Sequence, residues 1–376
     1  MAKMKTFFKL TDDEKQKITK EKFAVDVKEN SVEDSLIPEF VGRNFGVFEY
    51  EVVQGGIRIT KLKKFDDKMI EIPEKIDGYA VKEIGSYAFA DTGIEDVKLP
   101  DSIEEIGEYA FYKSSLKSIV LPDKITEIKK GTFKFCFALR KVHIPDNVKV
   151  IGDFCFQKCS KLKSVNMPKK LVSIQNGAFE GCRSLYFMML PEEIKNIEDH
   201  VFANCCHLQI MSVPESAENI GKYAFAGCTS IKGVMVLSDK IANVSECLFK
   251  NCTSLEWVSI PSAKVIEKNV FENCGLIKCL TLPENLDEIK ENVFLNCVSL
   301  ERVYIYKNVM KISEDAFTGC DKLKICSAYN SFAHLFAKKH HLQFKVVGPF
   351  QRWKDNSLEV LKEMLSETVK TQNKKE

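Results

Sequence analysis

Short runs in which apolar and polar residues alternate recur along most of the chain, as in Lys141-Val142-His143-Ile144 and Ser164-Val165-Asn166-Met167, and a proline closes most of them, with Ser238 and Tyr306 in its slot in two turns. Such alternation predicts a short strand buried on one side. Proline cannot donate to a strand ladder, so it ends the element. Isoleucines then bring the chain back along a second wall, and a phenylalanine preceded by a small residue points inward. This phenylalanine stands at Phe89, Phe111, Phe133, Phe156, Phe179, Phe202, Phe225, Phe249, Phe271, Phe294 and Phe317, at intervals of 22 to 24 residues. One unit encloses no core. Stacked at about 4.8 Å per turn, the units build a continuous interior of Phe, Leu, Ile and Val ladders. The pattern predicts a β-rich solenoid of about eleven turns with stacked parallel strands.

The unit I-P-x-x-I-x-x-I-x-x-x-A-F-x-x-C-x-x-L-x-x-V-x-I-P resembles the leucine-rich repeat of the BspA-like type over roughly Phe48 to Val347. "VFEYEVVQGGIRITKLKKFDDKMIEIPEKIDGYAVKEIGSYAF" resembles that family's capping hairpin and first turn. "SAYNSFAHLFAKKHHLQF" resembles its terminal helix and final strand. The resemblance implies a leucine-rich-repeat solenoid with an N-terminal β-hairpin cap and short flanking helices. It also implies macromolecular binding without enzymatic activity of the repeats, since the family comprises mostly bacterial and protozoal surface or secreted proteins that bind host matrix proteins or other cells. The expected layout is an N-terminal helical or flexible segment over 1–45, the capped solenoid over 46–347, and an amphipathic helix and tail over 348–376. Thr11 and Glu14 form a capping box for the first of these helices. Trp353, Leu358, Leu361, Leu365 and Val369 have helical spacing in the last.

"NCCHLQ" at 204–209 sets two cysteines beside a histidine, residue types that zinc prefers. The repeat separates them. Cys136, Cys159, Cys182, Cys205, Cys228, Cys252, Cys274, Cys297 and Cys320 all lie three residues after a repeat phenylalanine, in a small inward slot that Thr92 and Ser114 fill in earlier turns. Cys205 and Leu208 therefore belong to ladders, and Cys206 and His207 fill variable exposed positions. Stacked thiols point in parallel, which predicts an unpaired buried ladder. No P-loop, dinucleotide fingerprint, nucleophile elbow or HExxH helix occurs, and no cofactor or metal is expected. A thiol- or zinc-dependent enzyme is the remote alternative.

Composition narrows the partners. With 55 basic and 53 acidic residues the net charge is +2, which draws the chain neither to nucleic acid nor to an anionic membrane. The opening "MAKMKTFFKLTDDEK" lacks the apolar run of a secretory signal, and no stretch approaches eighteen apolar residues, so no membrane insertion is expected. The expectation is a cytoplasmic protein with reduced thiols. A cell-surface or secreted adhesin is the alternative, if a signal has been removed.

The residues left for function are the outward ones of the strands, since packing fixes the inward ones. Alternation assigns one outward row as Asp96, Ser118, Lys141, Ser164, Phe187, Ile210, Gly233, Trp257, Cys279 and Arg302. The second reads Lys98, Val120, His143, Asn166, Met189, Ser212, Met235, Ser259, Thr281 and Tyr304. Phe187, Met189, Ile210, Met235 and Trp257 form an expected apolar patch for a protein partner, with Tyr186 beside it and His143, Arg302 and Tyr304 toward the rim. Trp257 and Phe187 are its expected anchors.

Overall fold

The computed structural model describes residues 45–63, 66–232, 234–260 and 262–347, all within the larger of two units, Arg43–Glu376. The helices expected around Thr11 and after Pro349 lie outside the described residues. The described chain opens with the hairpin Phe48–Val53 and Gly56–Leu62, whose antiparallel register ends at Val53 opposite Gly56. Gly55, at φ +85°, supplies the left-handed residue of that tight turn. Every later turn contributes one short strand to each of two walls.

The front wall carries three-residue strands such as Ser118–Val120, Lys141–His143 and Phe187–Met189. The back wall carries two-residue strands such as Val150–Ile151 and Ser173–Ile174. Pairing along each wall is parallel and joins residues one repeat apart, as in Val142 with Ile119 and Ile151 with Ile174. The solenoid read from the sequence is therefore the fold. The front wall is also interrupted before Phe187–Met189 and after Trp257–Ser259, and the back wall before Glu127–Ile128, but the walls break together at one place: Ile210–Ser212 does not pair with Val234–Val236, nor Asn219–Ile220 with Asn243–Val244. That is the longest unit, from Phe225 to Phe249.

The core is a column of rings. From Phe89 to Phe317 each phenylalanine stacks on the next with centroids 5.2 to 5.8 Å apart. Phe48 closes one end edge-on at 6.4 Å, and Phe336 closes the other edge-on at 6.2 Å. Phe336 sits on the helix Phe332–Lys339, capped by Ser331, whose hydroxyl accepts from the His334 amide; the strand Gln343–Val346 follows it. An edge-on ring covers the last stacking face without offering another, so both caps end the column.

Beside the rings runs the thiol ladder. The Cys205 thiol donates to the Phe179 carbonyl at 3.2 Å, and the Cys182 amide donates to the same oxygen at 3.0 Å. The pattern repeats from Cys136 to Cys320. A carbonyl has two lone pairs and a buried one needs partners. The slot requires a small side chain with one donor, which is why Thr92 Oγ1 fills it by bonding the Phe89 carbonyl. Charges pair between turns in the same way: Lys290 with Glu267 at 2.7 Å, and Lys250 with Glu272 at 2.7 Å.

Each turn from Phe89 to Phe294 also bends at two left-handed residues, two before and two after the repeat phenylalanine, and the Phe317 turn keeps the second bend at Gly319. Asn251, Asn273 and Asn296 hold the second bend at φ +63°, +61° and +59°, and their side-chain amides bond one another. Lys113 and Lys158 hold the same bend at φ +55° and +63°, where a Cβ is strained. Lys113→Asn should raise stability by about 1 kcal/mol, read as a higher urea midpoint at unchanged slope. A lower midpoint would mean that the Lys113 ammonium, 5.2 Å above the Tyr112 ring, outweighs the strain.

Candidate functional site

The front strands set the candidate surface, because their alternation sends every second side chain away from the rings. Lys141, His143, Ser164 and Asn166 are exposed in the outward slots of two early turns, and Val120 is 66% exposed in another. In the turn that follows, Phe187 is half-buried, Met189 is 48% exposed and Tyr186 is 40% exposed. Ile210 lies next to Phe187 by register, and Ser212 next to Met189. Thus Tyr186, Phe187 and Met189 fall within one turn, the strand that carries Ile210 lies next to it by register, and His143 is exposed two strands away.

Three expected members of the patch are placed differently. Met235 pairs with Val258, which is buried in the core, while Val234 and Val236 stand opposite Trp257 and Ser259. The physical reason is the length of the turn: from Ile231 to Leu237 the chain holds one residue more than from Leu255 to Ile260, so the outward slots shift by one. Trp257 and Tyr304 keep outward slots but are buried, at 8% and 2% exposure. Tyr304 packs with Cys279, Tyr306, Cys326 and Val347 in a cluster separate from the main core. Burial pushes the Cys279 thiol up to about 11 and the Tyr306 hydroxyl up to about 12. Arg302 is half-buried beside them.

The two adjacent cysteines separate as the repeat requires. Cys205 is fully buried, whereas Cys206 is half-buried with its thiol 3.4 Å from the Asn204 carbonyl. The His207 ring bonds the Arg183 carbonyl at 2.7 Å through Nδ1. All fourteen cysteines are free thiols. Among the described residues no three His, Cys, Asp or Glu side chains gather as metal ligands. A pocket of about 480 Å³ near the N-terminal cap is lined by Glu51, Arg58, Glu105 and Lys129, whose charges pair among themselves and with Glu83.

The family model of the BspA type leucine-rich repeat region, in six copies, matches residues 82–209 and 195–324. The chain belongs to this family. Among solved structures, a leucine-rich repeat protein from Bacteroides ovatus is 26% identical, with 83% of this chain and 100% of that one covered and a TM-score of 0.45. The T. pallidum leucine-rich repeat protein is 24% identical over 61% of this chain and 88% of that one, at a TM-score of 0.39. The pneumococcal vaccine antigen PcpA is 17% identical over 80% of this chain and 97% of its own, at a TM-score of 0.48. Among curated proteins none matches. No helix of the described residues is long and apolar enough to cross a membrane.

This BspA-type solenoid carries a second surface that alternation alone did not reveal. At the left-handed bends Tyr87 stacks on Tyr109 at 5.0 Å, and Tyr112, Phe135 and Phe137 continue the contact toward the C-terminus. The Lys134 ammonium sits 5.2 Å from the Phe135 ring and 5.0 Å from the Phe154 ring. The available signal was the slot two before each repeat phenylalanine, which holds Tyr87, Tyr109, Phe154 and Tyr223 in four turns, His200 in another, and glycine or asparagine in four more.

Proposed function

We propose that this chain is a non-enzymatic interaction module that binds a protein through the outward face of its front strands, centred on Tyr186, Phe187, Met189 and Ile210. His143 lies toward the rim. The carrying observation is the exposure of Tyr186 and Met189 around Phe187, beside outward slots that hold lysine, histidine, serine and asparagine in the two preceding turns. Apolar side chains offered together on a polar face mark an interaction surface, and aromatic residues are favoured anchors. Leucine-rich repeats bind proteins generally, which supports this choice of ligand class. The near-balance of charge favours a protein over nucleic acid. Fourteen free thiols support a reducing compartment, such as the cytoplasm, as the place of action.

The test starts from a partner identified by crosslinking through Met189→Cys. Met189→Glu lies on the surface and leaves the interior intact, so the fold should persist while the affinity of that partner falls at least about tenfold, or about 1.4 kcal/mol. Affinity retained to within about twofold in titration calorimetry would reject the surface.

A further inference from the structure

The bends two residues before the repeat phenylalanines set a second column of rings along the outside of the solenoid, and glycine interrupts it. Tyr87 stacks on Tyr109 at 5.0 Å, and His200 stacks on Tyr223 at 4.7 Å with planes 5° apart. Between Phe154 and His200 the slot falls to Gly177, at φ +58°. A Cβ there would lie 2.6 Å from Phe154 Cδ1 and 3.4 Å from Glu180 Oε2, so the ring leans over the glycine and the carboxylate borders it. A cavity of about 430 Å³ opens at this place, lined by Phe154, Asn176, Gly177, Glu180, Asp199 and His200. The column's other glycine, Gly131, differs in one respect. There the chain supplies its own cation: Lys134, one after Phe133, sets its ammonium 5.0 Å from the Phe154 ring. One after Phe179 stands Glu180 instead.

Other turns neutralise the same acidic slots. Glu272, placed as Glu180 is, pairs with Lys250 at 2.7 Å; Glu246, placed as Asp199 is, pairs with Lys222 at 3.3 Å and Lys268 at 3.2 Å. Among the described residues neither Glu180 nor Asp199 has an ion pair. Glu180 Oε2 accepts from the Gln157 side chain at 2.6 Å, and Asp199 Oδ1 from the Lys222 amide at 2.7 Å, so one oxygen of each carboxylate is left to accept. We propose that this cavity takes the guanidinium of an arginine side chain from a polypeptide partner, held flat between Phe154 and His200 and paired with Glu180 and Asp199. A guanidinium is planar and cationic, stacks on aromatic faces and brings five N–H donors to these acceptors. The spacing agrees. Phe154 and His200 stand two turns apart, about 10 Å at about 4.8 Å per turn, and a plane touching both rings takes about 7 Å. The lean of Phe154 over Gly177 takes up the rest. Asn176 and His200 are exposed, so a side chain enters end-on while its own backbone stays outside. The site lies at the bends and not on the front strands, which makes it independent of any partner at Met189.

Titration of the full chain with the blocked tripeptide acetyl-Gly-Arg-Gly-amide, followed by saturation-transfer NMR of the peptide, tests the site. A millimolar dissociation constant is expected, with acetyl-Gly-Lys-Gly-amide at least about fivefold weaker, because an ammonium has no plane to fill the slot. Glu180→Gln with Asp199→Asn keeps an oxygen for the Gln157 and Lys222 donors, and should weaken the arginine peptide at least about tenfold. Gly177→Asn places here the residue that Asn269 and Asn292 supply to the same slot in later turns, and should abolish binding with both carboxylates intact. No saturation transfer at about 10 mM arginine peptide would overturn the proposal, as would equal affinity for the lysine peptide. Arginine-peptide affinity unchanged in the carboxylate double variant would also overturn it. Agmatine binding more tightly than the tripeptide would overturn the polypeptide source.

Discussion

Raising the pH from about 8 to about 10.5 should unfold the solenoid, well before an ordinary domain of this size responds to alkali. The cause is the thiol ladder. Burial pushes the thiols of Cys159, Cys182, Cys205, Cys228, Cys252 and Cys274 well above the ordinary cysteine value. In the unfolded chain each ionises near about 8.5, while in the fold each keeps its proton. A raised native pKa is a stability present in full below the unfolded value and lost as pH climbs above it. Once the unfolded thiols are ionised, each removes about 1.4 kcal/mol per pH unit, and the six together about 8 kcal/mol per pH unit. Total stabilities of about 5–15 kcal/mol are exhausted within one to two units. Circular dichroism against pH, under reducing conditions, measures the midpoint. Cys205→Ser should lessen the slope by about one proton, since its hydroxyl does not ionise there. A slope below two protons would show that the ladder does not govern alkaline stability.

Phe202→Ala should cost about 3–5 kcal/mol in urea denaturation. The Phe202 ring is fully buried, between Phe179 at 5.6 Å and Phe225 at 5.8 Å with planes within 6°. Truncation removes two stacking faces, and the back-wall ladder on both sides, with the front-wall ladder toward Phe179, holds the neighbouring turns apart, so the void cannot close by collapse. Phe48, which meets only one ring of the column and meets it edge-on, should cost less when truncated. A loss under about 1 kcal/mol at Phe202 would mean that the turns can slide to refill the column.

The period of the phenylalanines was enough to assign the column, the thiol ladder and the separation of Cys205 from Cys206 and His207, because all of these are consequences of stacking identical turns. The exceptions have local causes. Alternation cannot say on which side of a strand an extra residue is absorbed, so the slots around Met235 shifted by one. It also describes only the strand's own sheet, and the burial of Trp257 and Tyr304 depends on what lies above that sheet. The left-handed bends escaped notice because Tyr87, Tyr109, Phe135 and Lys158 occupy positions where glycine and asparagine would have announced the conformation.

The bonds of the thiol ladder all have one direction. Cys228 donates to the carbonyl of Phe202, Cys205 to that of Phe179, and each bond runs from a later turn to the one made before it. A ribosome delivers the chain in that same order. Every newly emerged turn finds its acceptor already in place on a finished neighbour, starting from the hairpin at Phe48, so the protein can close turn by turn during synthesis without waiting for its C-terminus.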